Sequence, residues 1–237
     1  MKVRYLVKFS KEDTIKFVAH LDLMRTIQRM IKRSGLPVQY SQGFNPHINM
    51  SLAQPLAVGV YSCGDYMDIA FEEEVNEDII KEKLKASAPA GIKVFEVVKI
   101  KEEQNKKVFK SMAAIDAAKY IMRIKYENME FLEEDLEKLL SMKEWNTIKK
   151  SKSGESEVNI KSMIKNFKYE IVDNALIIQT TVSCGSKENL SAELLSAFIQ
   201  ENTRAAKTDS FVDIKREEMY AAVKSKLIPL YKYVEMI

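Results

Sequence analysis

The sequence predicts an α+β protein, and three observations support this class. Its 237 residues are 46% hydrophobic and 30% charged, the composition of a chain that buries an ordinary core. Apolar residues recur with a period of two in some segments and with a helical period in others. In the first half these segments follow the order strand, helix, two strands, helix, strand, which is typical of helices packed on an antiparallel sheet.

The first strand and the first helix have clear boundaries. Val3, Tyr5, Val7 and Phe9 recur with a period of two, which predicts a strand. Leucine, methionine and isoleucine recur at helical spacing over residues 21–33. Gly35 and Pro37 follow, and because neither residue type continues a helix, we predict that the helix ends before them.

The remaining elements of the first half complete a ferredoxin-like βαββαβ plan, with two helices on one face of an antiparallel sheet. They are extended segments over 38–40 and 50–52, strands over 66–71 and 92–100, and a helix from an N-cap at Asn76 to about Ser87. We therefore predict a first domain over residues 1–104. The charged connector over residues 99–110 is the predicted boundary.

The second half repeats this order more loosely, and we predict a second, embellished ferredoxin-like domain over residues 111–237. Asp173-Asn174 lies between two apolar runs and indicates a hairpin turn. The predicted elements are strands over 117–126, 145–150 and 211–215, helices over 131–142 and 189–202, hairpin strands over 167–171 and 176–182, and a flexible loop over 149–157.

Several classes of function are excluded by what the sequence lacks. No apolar run approaches the roughly 18–20 residues of a membrane span, and the alternating N-terminus does not resemble a signal peptide, so we expect a cytoplasmic protein without membrane contact. Cys63 and Cys184 lie far apart without a cluster motif, and no phosphate-binding or dinucleotide-binding glycine motif occurs. We therefore expect no cofactor in this chain.

Charge is distributed unevenly along the chain. Residues 1–60 hold nine Lys/Arg against three Asp/Glu, whereas residues 61–104 hold six against eleven. Such asymmetry favours a surface that faces a polyanion, although a chance excess of solvated lysines explains it equally well.

The basic residues concentrate on the predicted helix over residues 21–33. Arg25, Arg29, Lys32 and Arg33 lie at offsets of 0, 4, 7 and 8, which places them on one helix face opposite the apolar stripe. Like charges at this spacing repel, so an unmixed basic face suits a phosphate backbone. A solvated face and a contact with an acidic protein surface are the alternatives.

Segment 40–47, YSQGFNPH, follows this helix and is the least generic in the chain. Gly43 permits a positive φ, and Pro46 restrains the residue before it to extended geometry. An aromatic ring flanked by amides can stack an unpaired base and hydrogen-bond its edge. The alternative is a structural turn whose phenylalanine fills the core. The predicted RNA contacts in this segment are Gln42, Phe44, Asn45 and His47.

His20 and His47 are the only histidines. They are the candidates for general acid/base catalysis, and Asp22 lies two residues after His20. A local helix cap is the simpler explanation for His20. The spacing matches no metal-binding motif, so we predict no metal site.

One stretch resembles a known family. HLDLMRTIQRMIKRSGLPVQYSQGFNPHINMSLAQPLAVGV, residues 20–60, is similar to the start of bacterial proteins known as radical-SAM-associated or radical-SAM-linked. The matching features are His20-Leu21-Asp22, Gly35-Leu36-Pro37, the run from Ser41 to His47, and Pro55 with Gly59. Residues 66–68 and 215–220 also resemble family features. Members tend to continue the loop with proline and a basic residue, where this sequence has Ile48-Asn49.

The resemblance implies a module that occurs alone or behind a radical-SAM domain, and this chain resembles the stand-alone form. It implies no catalytic residues, and the family's biochemical function is uncharacterised. We therefore predict an RNA-binding accessory module, for tRNA or rRNA, that acts with a separate radical-SAM enzyme modifying RNA or protein. The alternatives are an RNA-processing enzyme that uses His20 or His47, and a protein-binding adaptor that contacts no nucleic acid.

Overall fold

A computed structural model describes residues 3–101, 109–151 and 154–237, without the side chains of residues 150 and 151. The chain forms two compact units. Unit 1 contains the residues up to Asp116 together with Arg216–Ile237, and unit 2 contains Ala117–Lys215. The C-terminal residues thus group with the first half. Most of the predicted connector over 99–110 lies outside the described residues.

Helices and strands account for most of the described residues, in a mixed α+β fold that confirms the predicted class. The strands are β1 Val3–Lys11, β2 Met50–Leu52, β3 Val60–Phe71, β4 Val94–Ile100, β5 Ala117–Lys125, β6 Asn146–Ser151, β7 Gly154–Asn159, β8 Ile164–Val172, β9 Ala175–Ser183, β10 Asp213–Val223 and β11 Lys226–Pro229. The helices are α1 His20–Arg33, α2 Glu77–Ser87, α3 Ser111–Ala114, α4 Leu132–Ser141, α5 Ala192–Glu201 and α6 Leu230–Met236.

The sheet of unit 1 is built around β1. Strand β1 pairs antiparallel with β3 on one side and with β4 on the other, and the short β2 pairs antiparallel with β3. Strand β10 lies beside β3, and β11 pairs with β10. The strand predicted over residues 3–9 is confirmed, and its odd-numbered residues belong to the core that also contains the apolar residues of α1 and α2.

Helices α1 and α2 form as their sequences predict. The apolar stripe of α1 is buried through Leu23, Ile27, Met30 and Ile31. Helix α2 begins at the predicted cap, where the Asn76 side chain accepts hydrogen bonds from the backbone N–H groups of the residues two and three positions later.

Charged and polar side chains of β1, β3 and β10 are buried or half-buried, which the period-two pattern of β1 alone does not predict. Lys8 Nζ lies 2.5 Å from a Glu218 carboxylate oxygen, and the Tyr66 hydroxyl donates to the same carboxylate at 2.6 Å. Arg216 donates to Asp65 at 3.0 and 2.6 Å. Strand β10 is therefore bound to the rest of unit 1 by ionic groups that are buried or, at Lys8, half-buried.

Unit 2 contains the antiparallel strands β5, β9 and β8 in that order. The predicted hairpin is confirmed, and Asp173 in its turn has a positive φ of 52°. Trp145 is buried and stacks on Phe198, with ring centroids 5.4 Å apart. The predicted flexible loop over 149–157 is wrong in part, because β6 and β7 pair antiparallel there. Within the described residues, no helix has the length and apolar character needed to cross a membrane.

Candidate nucleic-acid interface

The cations of α1 lie on its solvent-exposed face. Because the apolar stripe turns toward the core, Arg25, Arg29, Lys32 and Arg33 are all exposed. The structure thus places the four predicted contacts on one accessible side of one helix.

This face is not purely basic, which corrects the prediction of an unmixed stripe. Arg25 Nη1 lies 2.9 Å from Asp22 Oδ1, with both side chains more than 60% exposed. Ion pairs at such exposure contribute little to stability, so Arg25 can exchange this partner for another anion. With Asp22 included, four cations and one carboxylate give the face a net charge of +3.

The other three cations differ in how firmly they are held. Arg33 Nη2 donates to the Ser87 carbonyl oxygen at 2.8 Å, so this guanidinium helps to satisfy the C-terminal end of α2. The side chains of Arg29 and Lys32 form no hydrogen bond or ion pair with any residue that the structure describes. These two are the cations most available to a ligand.

The loop over residues 41–47 is closed at its base. Tyr40 and Ile48 form an antiparallel bridge, and the Ser41 N–H donates to the His47 carbonyl oxygen at 2.8 Å. The Ser41 hydroxyl oxygen accepts from the His47 N–H at 3.1 Å and lies 2.9 Å from the His47 Nδ1. Gly43 has a φ of 121°, which allows the chain to turn within the loop.

Phe44 projects fully into solvent from this loop, with a relative exposure of 113%. The alternative in which its ring fills the core is therefore wrong. Gln42 and Asn45 are exposed on either side of it. The loop thus presents one aromatic ring flanked by two amides, while His47 is engaged at its base.

His20 and His47 have different surroundings. His20 is the first residue of α1, and its Nδ1 is buried with no hydrogen-bond partner among the described residues. Helix α1 is preceded by Ala19 and has no side-chain cap, so the capping explanation for His20 is wrong. Among the residues described, no hydrogen bond joins the two histidines, and no group of three or more potential metal ligands occurs.

Sequence reasoning missed an apolar patch near the start of α1. Phe17, Leu21 and Val58 are each more than half exposed. The Gly59 N–H donates to the Lys16 carbonyl oxygen at 2.9 Å, which brings the segments that carry Phe17 and Val58 together. Val58 is far from Phe17 and Leu21 in sequence, so no local pattern predicts that its segment comes near them.

Segment 215–220 contains two residues with a structural role. Arg216 and Glu218 are buried and bind Asp65, Lys8 and Tyr66, so they stabilise the sheet of unit 1 and do not face a ligand.

Comparisons with known proteins add a family. No curated protein matches the sequence. A solved structure of an unknown protein from Galdieria sulphuraria aligns over 94% of this chain and 100% of its own, at 11% identity and a TM-score of 0.26. The profile of a bacterial family described as "Uncharacterized protein conserved in bacteria (DUF2344)" matches residues 4–192. Because this match spans well over half of the chain, the protein belongs to the DUF2344 family.

Proposed function

We propose that unit 1 binds RNA, with the exposed face of α1 on the phosphate backbone and the loop over residues 41–47 on an unpaired base. The observation that carries this proposal is the full exposure of Phe44 on a loop that hydrogen bonds close at its base. Exposing a phenylalanine ring forfeits the free energy of its burial, about 1.5–3 kcal/mol. A ligand that covers the ring would recover part of that free energy.

The chemistry of the loop suits a base better than an apolar peptide. Bases stack on aromatic rings through their π faces, and each such contact is worth about 1–3 kcal/mol. Gln42 and Asn45 provide amide donors and acceptors beside the ring, which match the hydrogen-bonding edges of an unstacked base. Because Ser41 and His47 hold the loop closed, little further ordering is needed on binding.

The cations supply a sequence-independent attraction. The side chains of Arg29 and Lys32 have no partner among the described residues, and the partner of Arg25 is exposed. Each phosphate contact with a single strand releases counterions and contributes about −0.7 to the salt slope, which is the slope of the logarithm of the binding constant against the logarithm of the salt concentration. Four contacts therefore predict a salt slope of about −3.

We further infer a tandem ferredoxin-like plan. Support in unit 1 comes from the order β4-β1-β3-β2, which is that of a split βαβ arrangement with α1 and α2 on one face. Support in unit 2 is the order β5-β9-β8.

The proposed partnership with a separate radical-SAM enzyme rests on the sequence resemblance alone. In that scheme the protein presents tRNA or rRNA, and the cofactor belongs to the partner.

Crosslinking in cells, followed by sequencing of the bound RNA, tests the proposal and identifies the ligand. With that RNA and the full chain, Arg29→Glu combined with Lys32→Glu should weaken binding at least tenfold and flatten the salt slope. The matched control reverses two exposed lysines of unit 2, Lys138→Glu and Lys143→Glu, and should leave affinity nearly unchanged. The absence of crosslinked RNA, or equal affinities for both double variants, would contradict the proposal and favour a protein-binding adaptor.

A further inference from the structure

Strand β8 forms the outer edge of the sheet of unit 2. It pairs with β9 along one side, and no described residue pairs with its other side. It spans nine residues, Ile164–Val172, and most of them are exposed, including Tyr169 at 39%. A long exposed edge carries unpaired backbone donors and acceptors, which readily pair with another strand.

We propose that β8 pairs antiparallel with β8 of a second copy of this chain, around a two-fold axis at Tyr169. In that register Lys168 lies opposite Glu170 of the second copy, and Phe167 lies opposite its Ile171. Symmetry repeats each pair, so the interface contains two opposite-charge pairs and two apolar pairs around a central pair of tyrosines.

Charge selects this register among its neighbours. Moving the axis to Lys168 places the two lysines opposite each other, and moving it to Glu170 does the same with the two glutamates. Like charges directly opposite destabilise a strand pair. An axis at Phe167 would require residues 164–166 to pair with the second copy. The ladder of β8 is irregular there, between Ile164 and Asn166, which disfavours this register.

One face of β8 carries aromatic and apolar side chains that suit this pairing. Phe167, Tyr169 and Ile171 alternate onto one face, and the Phe167 ring lies 5.9 Å from that of Trp145 in an edge-to-face contact. A second copy would therefore extend the aromatic cluster of unit 2.

The pairing also terminates by itself. The irregularity before Asn166 and the turn after Val172 limit the ladder to Asn166–Val172. Each copy uses its one free β8 edge, so the contact closes as a dimer and does not propagate into a fibre.

Sedimentation of the full chain over a range of concentrations tests the proposal through a charge swap. Lys168→Glu and Glu170→Lys should each raise the dimer dissociation constant roughly 10-fold, because two favourable pairs become two repulsions. The double variant K168E/E170K restores opposite charges across the axis and should recover most of that loss. Circular dichroism and thermal unfolding of each variant verify that the fold is intact.

Disulfide trapping tests the register itself in a chain that carries Cys63→Ser and Cys184→Ala. Cysteines introduced by Tyr169→Cys would face each other at about 4.5–5.5 Å between Cβ atoms and should crosslink rapidly. Cysteines introduced by Glu170→Cys would lie about 7–8 Å apart and should not. A chain that stays monomeric, a double variant no tighter than the single ones, or equal crosslinking at both positions overturns the proposal. If the chain stays monomeric, an extended segment of another protein becomes the candidate partner for the edge of β8.

Discussion

Replacing Asp65 by asparagine should destabilise unit 1 strongly, because it removes a carboxylate that interacts with two buried cations, Arg216 and Lys11. The Arg216 side chain is 1% exposed, and its Nε and Nη2 atoms donate to Asp65 Oδ1 at 3.0 and 2.6 Å. Lys11 is equally buried, and its Nζ donates to the Lys16 carbonyl oxygen at 2.7 Å. The carboxylate of Asp65 is therefore a negative charge that interacts with both buried cations.

The expected loss is about 3–5 kcal/mol of unfolding free energy, the cost of removing one partner from a buried ion pair. Asp65→Asn belongs at the lower end, since the amide oxygen can still accept one hydrogen bond from Arg216. The control is Asp22→Asn, which removes the same charge from the exposed pair with Arg25 and should cost less than about 1 kcal/mol.

The loss should also depend on pH. Burial lowers the pKa of Lys11 below its ordinary value of 10.5, and the charge of Asp65 opposes that lowering. In the Asp65→Asn variant the pKa of Lys11 falls further, so the native variant binds fewer protons than the native wild type. The difference in unfolding free energy between wild type and Asp65→Asn should therefore narrow as the pH rises through the range between their two Lys11 pKa values, which lies below about 10.5.

Urea unfolding of both variants at neutral and alkaline pH measures these quantities. A loss below about 1 kcal/mol for Asp65→Asn, or a deficit independent of pH, would refute the reasoning.

Three further predictions concern single contacts. Gly64→Ala places a Cβ 2.2 Å from a carbonyl oxygen of β10, so its unfolding midpoint in urea should fall well below that of wild type, and an unchanged midpoint would contradict the close packing. Asn76→Ala removes the cap of α2 and should cost about 1 kcal/mol in the same assay, whereas a neutral result would contradict the capping geometry. Hydrogen bonds from Arg204 lower the pKa of Asp135, a contribution present above pH about 4 and lost below it. The stability difference between wild type and Arg204→Ala should therefore be largest at neutral pH and shrink in acid, and a constant difference would contradict it.

Local patterns in the sequence predicted much of this fold. The bounds of α1 and α2, the cap at Asn76 and the turn at Asp173-Asn174 each depend on residues close together in the chain. Such features are set by capping, turn chemistry and periodicity, which a single sequence displays.

Features that depend on distant residues were not predicted. Arg216 pairs with a residue 151 positions earlier, so neither partner indicates by itself that it is buried and balanced. The polar pattern of residues 149–157 indicated a loop, although β6 and β7 pair there through backbone groups whose side chains are largely polar.

In the candidate site, too, the sequence predicted some features and missed others. Helical spacing predicted the exposed face of α1, because the apolar stripe defines the opposite side. It did not predict that Asp22 shares this face with Arg25, nor that Arg33 binds the end of α2. The exposure of Phe44 could not be predicted from the sequence, because a phenylalanine beside glycine and proline is compatible with a ring buried in the core and with a ring exposed at the tip of a loop.

The affinity of the Phe44→Ala variant for the RNA crosslinked in cells is the most direct measurement of the proposed function. Loss of one stacked base predicts a dissociation constant raised roughly 5- to 150-fold, with unchanged thermal stability because the ring is fully exposed. Phe211→Ala, which removes an exposed ring from unit 2, should bind like wild type. Equal affinities for wild type, Phe44→Ala and Phe211→Ala would contradict base stacking on the loop over residues 41–47.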